Sequence, residues 1–113
     1  MIDKNSDCFR DFSTPPEHVN FLAKKLFGEC GQILDGAIAY IEPHGGGPIE
    51  QHTHEKNHLF VVVRGEVKVL YGEKTEIYRA NESFLVKGDI PHSIWNNTEE
   101  TVIMLGISLK KED

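Results

Sequence analysis

The stretch "GGGPIEQHTHEKNHLFVVVRGE", residues 45–66, decides how the chain is read. It sets His52, His54 and His58 within seven positions and then runs straight into an apolar segment. Imidazole is intermediate in burial preference, so three of them close together need a polar partner each or one shared partner. A metal ion is the economical shared partner. On a strand the i and i+2 side chains of His52 and His54 point to one face, and a turn through Glu55, Lys56 and Asn57 can return His58 to the same ion. Taken alone, such a pair fits two exposed or hydrogen-bonded histidines equally well.

Downstream of the histidines, Phe60, Val62 and Arg64 share a strand face with His58, while Leu59, Val61 and Val63 make the opposite face apolar too. A strand apolar on both sides is covered on both sides. The second cover is expected to be the N-terminal segment or another copy of the chain, which favours a homodimer. Further on, "KGDIPHSIWN", residues 87–96, repeats the pattern of turn, histidine and apolar strand: Gly88 and Asp89 turn, Pro91 stiffens, and Ile94 shares the face of His92. Four of the six histidines therefore stand at strand beginnings with apolar residues in register behind them.

From Gly31 onward, short β-branched or aromatic segments alternate with Gly, Asn, Asp and Pro, the pattern of a β-sandwich or barrel. The expected strands are 32–34, 37–42, 49–54, 58–64, 67–71, 74–79, 82–86, 92–95 and 102–108. Before them, "STPPEHVNFLAKKLFGE" predicts a short helix with Thr14 as N-cap, Pro15 in the first turn, Glu17 closing a capping box and Gly28 at the end. Val19, Leu22 and Leu26 would form its apolar stripe. The domain reading is thus an N-terminal segment, 1–30, whose helix packs on a single β domain, 31–113.

With 113 residues the chain is one domain's worth, and 39% hydrophobic with 27% charged residues is ordinary for a globular protein. A net charge of -6 disfavours nucleic acid and anionic membrane surfaces as partners, since both call for a basic face. No apolar run approaches the roughly 18 residues of a membrane span, and "MIDKNSDCFRDF" lacks a leader-like stretch, so the cytoplasm is the expected address. Cys8 and Cys30 match no metal or disulfide spacing and are expected to be reduced.

Taken together, the motifs resemble those of the cupin superfamily. Its first motif, a glycine, five residues, HxH, three or four residues, a glutamate, six residues and a glycine, is similar to Gly46, His52, His54, His58 and Gly65 here. Its second motif resembles "VKGDIPHSIWN", with Gly88, His92 and Asn96, although Val86 and Ala80 stand where proline and glycine are usual. The resemblance implies an all-β cupin jelly-roll barrel, here with a short N-terminal helix. It also implies a divalent transition metal (Zn, Ni, Fe, Mn or Cu) held by His52, His54 and His92, with His58 in the place of the family's glutamate.

Four neutral imidazoles leave the full 2+ charge uncompensated, so the ion would be a stronger Lewis acid and attract anionic oxygen. Because the ligands must be neutral, metal affinity should fall as the pH drops below about 6.5. Phe60, Val62 and Ile94 are expected to wall a small-molecule pocket, or else simply to fill the barrel core. Glu50, Glu55, Tyr40, Tyr71 and Tyr78 offer no obvious general base, and His18 and His44 read as surface residues. Three functions follow: a Lewis-acid isomerase or lyase acting on an enol, hydroxyketone or sugar acid; a metal-dependent dioxygenase; or a non-catalytic metal- or ligand-binding module.

Overall fold

A computed structural model describes residues 3–52 and 56–111, with residues 51 and 52 as backbone only. Eight strands follow one another: β1 (Val19–Phe27), β2 (Ile33–His52), β3 (Asn57–Arg64), β4 (Glu66–Tyr71), β5 (Lys74–Arg79), β6 (Ser83–Val86), β7 (His92–Asn96) and β8 (Val102–Leu109). Hydrogen bonds link them in the order β5-β4-β7-β2-β8-β3-β6, with β1 added to β2, giving a nearly closed jelly-roll barrel. The long β2 is the hinge of this arrangement. Its first half pairs with β8, from Ile33↔Leu109 to Ile41↔Val102, and its second half pairs with β7 from Gly46↔Trp95 to His52↔His92.

Inward side chains alternate as strand geometry requires. Ile41, Val62, Val67 and Val102 are fully buried, and Val69, Val86, Phe84, Ile94 and Met104 complete the core around them. Among the described residues no helix is long and apolar enough to cross a membrane. Cys8 and Cys30 are both free and exposed.

Two expectations are corrected: the strands expected at 32–34, 37–42 and 49–54 are one continuous β2, and the N-terminal helix is absent. Residues 19–27 form β1, antiparallel to β2 from Val19↔Gly46 to Phe27↔Gly36, and helical backbone is confined to a 3-10 turn at Asp7–Phe9. The capping-box reading fails at Glu17, which takes the left-handed conformation (φ 61) instead of opening a helix, as does Asn20 (φ 48). Tertiary pairing supplies what a short isolated helix could not: β1 pairs along β2, with two register shifts, and buries Phe21 and Leu22. The expected stripe is broken accordingly, with Leu26 half exposed at 50%.

The N-terminal segment packs on β2, while Val63 on the apolar second face of β3 remains 51% exposed. Phe9 and Phe12 pack edge-on against Tyr40 of β2, with ring centroids 5.0 and 5.7 Å away. The second-motif asparagine, Asn96, proves to be a staple. Its Nδ2 donates to the Ile41 carbonyl at 2.8 Å and the Glu100 carbonyl at 2.7 Å, while its Oδ1 accepts from Thr98 N at 2.7 Å and Thr98 Oγ1 at 2.8 Å. Asn96→Ala removes the side-chain donor to the buried Ile41 carbonyl and the acceptor for Thr98, and should destabilise the fold by about 1–3 kcal/mol, read as a lower denaturant midpoint with unchanged slope.

Candidate metal and ligand site at the barrel mouth

Histidines 58 and 92 come to the same end of the barrel through the turn at residues 87–91. His58, second residue of β3, stands opposite Val86, the last residue of β6; six positions after Val86 the chain re-enters the barrel at His92, opposite Tyr71 at the end of β4. Two side chains hold that turn: Lys87 N donates to Tyr71 Oη at 3.0 Å, and Gly88 N donates to Asn57 Oδ1 at 3.0 Å. The rim is therefore clamped on both flanks by residues adjoining the histidines in space or sequence.

His92 is 4% exposed, and its Nδ1 lies 2.8 Å from the Ile90 carbonyl. A carbonyl oxygen only accepts, so Nδ1 carries the proton and Nε2 the lone pair. That is the tautomer a metal ligand needs, and a second hydrogen bond of this kind is what orients such ligands. His58 is half-buried and points inward, its ring edge-on to Phe60 at 5.5 Å. His52 is the backbone register partner of His92, its side chain lying outside the described residues. His54 and Glu55 lie outside them altogether, and among the described residues no group of three metal-binding side chains is assembled. The tautomer of His92 and the placement of His58 at the same end of the barrel are compatible in chemistry with two ligands of a divalent ion.

A cavity of about 180 Å³ opens beside His58. Its layers follow from cross-strand register across β2, β8 and β3. At the mouth, Asp35, Ser108 and His58 stand in one row; below them come Ala37, Gly106 and Phe60; below those, Ala39, Met104 and Val62. The hollow exists because the second layer is paved with an alanine and a glycine, and because Ala23 faces Ala39 from β1. Of the expected wall residues, Phe60 lines the cavity, while Val62 (0% exposed) and Ile94 (5%) belong to the packed core beneath.

Two ionisable lining residues, His18 and Asp35, stand outside the expected site. His18, expected on the surface of a helix, is brought to the cavity by the loop before β1. Its Nδ1 donates to the Pro16 carbonyl at 2.8 Å, and its ring meets Phe21 edge-on at 4.6 Å. The signal lay in the three glycines 45–47, all buried, which let this loop cross β2 in contact: Ile49 N donates to the Glu17 carbonyl at 2.8 Å. Asp35 was passed over because "DG" reads as a turn, whereas β2 runs straight through it with Gly36 under the Phe27 ring. His44 is on the surface, 4.0 Å from Glu99.

The tyrosines are otherwise engaged. Tyr71 holds Lys87 N, and Tyr78 stacks on Phe84 with ring centroids 4.3 Å apart and donates its hydroxyl to Glu76. The hydrogen bond to Glu76, with burial second, pushes the Tyr78 phenol up from 10.0 to about 12. A raised phenol favours the folded state below pH 10 and loses that contribution as the pH rises through about 12. Glu76→Gln should bring the Tyr78 titration back towards 10.0, seen as earlier phenolate absorbance in an alkaline titration.

A small antiparallel barrel with histidines on its rim beside a polar-mouthed cavity is a jelly roll with a candidate ligand site. The Cupin_2 family, described as "Cupin domain", matches residues 33–108, and the chain belongs to it. Among curated proteins the chain is similar to the H2HPP isomerase of Bacillus subtilis, 31% identical over 75 residues, which make up 66% of this chain and 31% of that protein. It thus spans about a third of that relative's length.

Among solved structures, the cupin domain of Schizosaccharomyces pombe Cnp3 superposes with a TM-score of 0.76 at 15% identity over 94% of this chain and 72% of that one. The putative glyoxylate-induced protein of Pseudomonas aeruginosa gives a TM-score of 0.80 at 14% identity over 91% and 40%. The Cupin_2 domain of an XRE-family transcriptional regulator from Enterobacter cloacae gives 0.72 at 18% over 83% and 100%. At these identities the structural likeness is one of fold.

Proposed function

We propose that this cupin is a small metalloenzyme that uses a divalent ion as Lewis acid to isomerise a small oxygenated compound carrying a carbonyl or enol. The ligands are His52, His54, His58 and His92. The observation that carries the reading is the His92 ring, buried on the rim with Nδ1 committed to the Ile90 carbonyl and Nε2 in the lone-pair form. The ion's contribution would be to polarise a ligand oxygen. A cavity of about 180 Å³ lies below the roughly 300–1,000 Å³ of sites for drug-sized molecules, in keeping with a small substrate. The name of the Bacillus subtilis relative, an isomerase, supports the reaction class.

The same reading has the chain act as a cytoplasmic homodimer. Val63 (51% exposed) and Leu85 (50%) lie on an apolar outer face of β3 and β6 that a second copy would cover. A solution mass of one chain at micromolar concentration would remove the dimer.

The test of function starts from protein purified without a histidine tag. Elemental analysis should find about one transition-metal ion per chain, and turnover of a carbonyl or enol substrate should proceed without dioxygen. Turnover only in air would replace the isomerase by the dioxygenase. Metal bound with no exchangeable ligand position would leave a non-catalytic module.

A further inference from the structure

An isomerase that moves a proton between carbons needs a group to take that proton, and the expected ligand set supplies only neutral imidazoles. The cavity wall holds one carboxylate among its described residues, Asp35. It stands at the mouth in the same cross-strand row as Ser108 and His58, on the inward face that continues through Ala37, Ala39 and Ile41. Row neighbours on a sheet face have Cβ atoms about 5 Å apart, so Asp35 lies one strand beyond the nearest neighbour of the histidine assigned to the metal. Its carboxylate makes no hydrogen bond or ion pair with another described residue. By contrast, the His18 ring on the same wall is tied to the Pro16 carbonyl and to Phe21.

We propose that Asp35 is the general base of this site, an assignment that rests on the function proposed above. The Asp35 carboxylate takes a proton from the carbon next to the substrate carbonyl. The electron pair of that C–H bond becomes the C=C bond of an enolate, and the carbonyl oxygen takes up the negative charge. Where a C=C bond stands β,γ to the carbonyl the enolate is a dienolate, and returning the proton from the Asp35 carboxylic acid to its far carbon while the carbonyl re-forms completes the isomerisation, with no net oxidation and no co-reactant. The substrate class is a small enolisable carbonyl compound with a C=C bond β,γ to its carbonyl. Its oxygens face the histidine rim and its acidic C–H lies in the hollow that Ala37 and Gly106 leave open.

The experiment uses pyruvate as a generic enolisable probe and oxalate as a dianion resembling its enolate. With metal-loaded protein, exchange of the pyruvate methyl protons in D2O is followed by NMR, and oxalate and metal binding by calorimetry. Asp35→Asn should slow exchange by at least about 100-fold, whereas His18→Gln should stay within about tenfold of wild type. Because the substitution removes a negative charge from the wall, oxalate should bind Asp35→Asn at least as tightly as wild type, with metal stoichiometry unchanged.

Exchange by Asp35→Asn at the wild-type rate would overturn the assignment. So would joint loss of metal and oxalate binding, which would make Asp35 structural, or a wild-type protein that binds oxalate yet exchanges nothing. Wild-type protein that takes up neither metal nor oxalate overturns the metal reading instead, so the two failures look different.

Discussion

His92→Ala, purified without a tag, is expected to lose its metal, with affinity down by more than the roughly 10–100-fold that follows loss of a mere outer-sphere partner. The reason is positional. Among the described residues His92 is the buried histidine of the rim, its tautomer is set by the Ile90 carbonyl, and the turn that delivers it is clamped by Tyr71 and Asn57. A second readout guards against a merely unstable variant: metal at 100 times its Kd should raise wild-type stability by about 2.7 kcal/mol and leave His92→Ala unmoved.

His58→Glu asks the complementary question. It restores the family's carboxylate, so metal should be kept, but one unit of the 2+ charge is cancelled and oxalate should bind more weakly. Full metal stoichiometry and affinity in His92→Ala would sink the site. Unchanged oxalate affinity in His58→Glu would sink the argument from charge.

The β body was legible because its information is local. Alternation in "HLFVVVRG" and "VIMLGIS", and turns at Gly and Asn, require no knowledge of what lies opposite, and β3 to β8 stand within a residue or two of their expected bounds. Histidines 58 and 92 were legible for the same reason, as strand openers with apolar residues in register behind them.

What escaped depends on a distant chain. The segment 14–28 carries true helix signals, overridden by a ladder on β2 that no local propensity encodes. Asp35-Gly36 reads as a turn until Phe27, nine residues earlier, is seen lying over Gly36. His18 reaches the cavity only because that misread segment is a strand. The residues missed at the site thus share one cause, the contact between β1 and β2.

That contact can be tested at Gly46, where the second large effect is expected: Gly46→Ala should cost more than about 4 kcal/mol, in the tail reserved for forbidden backbone or buried overlap. Both causes apply. Gly46 has φ 150, outside what an alanine adopts, and it is in register with Val19 of β1 on one side and Trp95 of β7 on the other. A Cβ there would sit 2.2 Å from the Ile94 carbonyl oxygen and 2.8 Å from the Trp95 Cα. These are backbone atoms with no rotamer to escape into, so relief requires β2 and β7 to part.

The same pairing carries His52 opposite His92, so whatever Gly46→Ala protein folds should also bind metal poorly, a coupling that an ordinary core defect would not produce. Gly28→Ala is the control, because a Cβ at Gly28 meets nothing within 4 Å, and it should leave both unfolding and metal binding as in wild type. If Gly46→Ala melts with Gly28→Ala and wild type, the three glycines are only a flexible stretch. If it melts early yet holds metal at wild-type affinity, the β2–β7 ladder does not position the ligands.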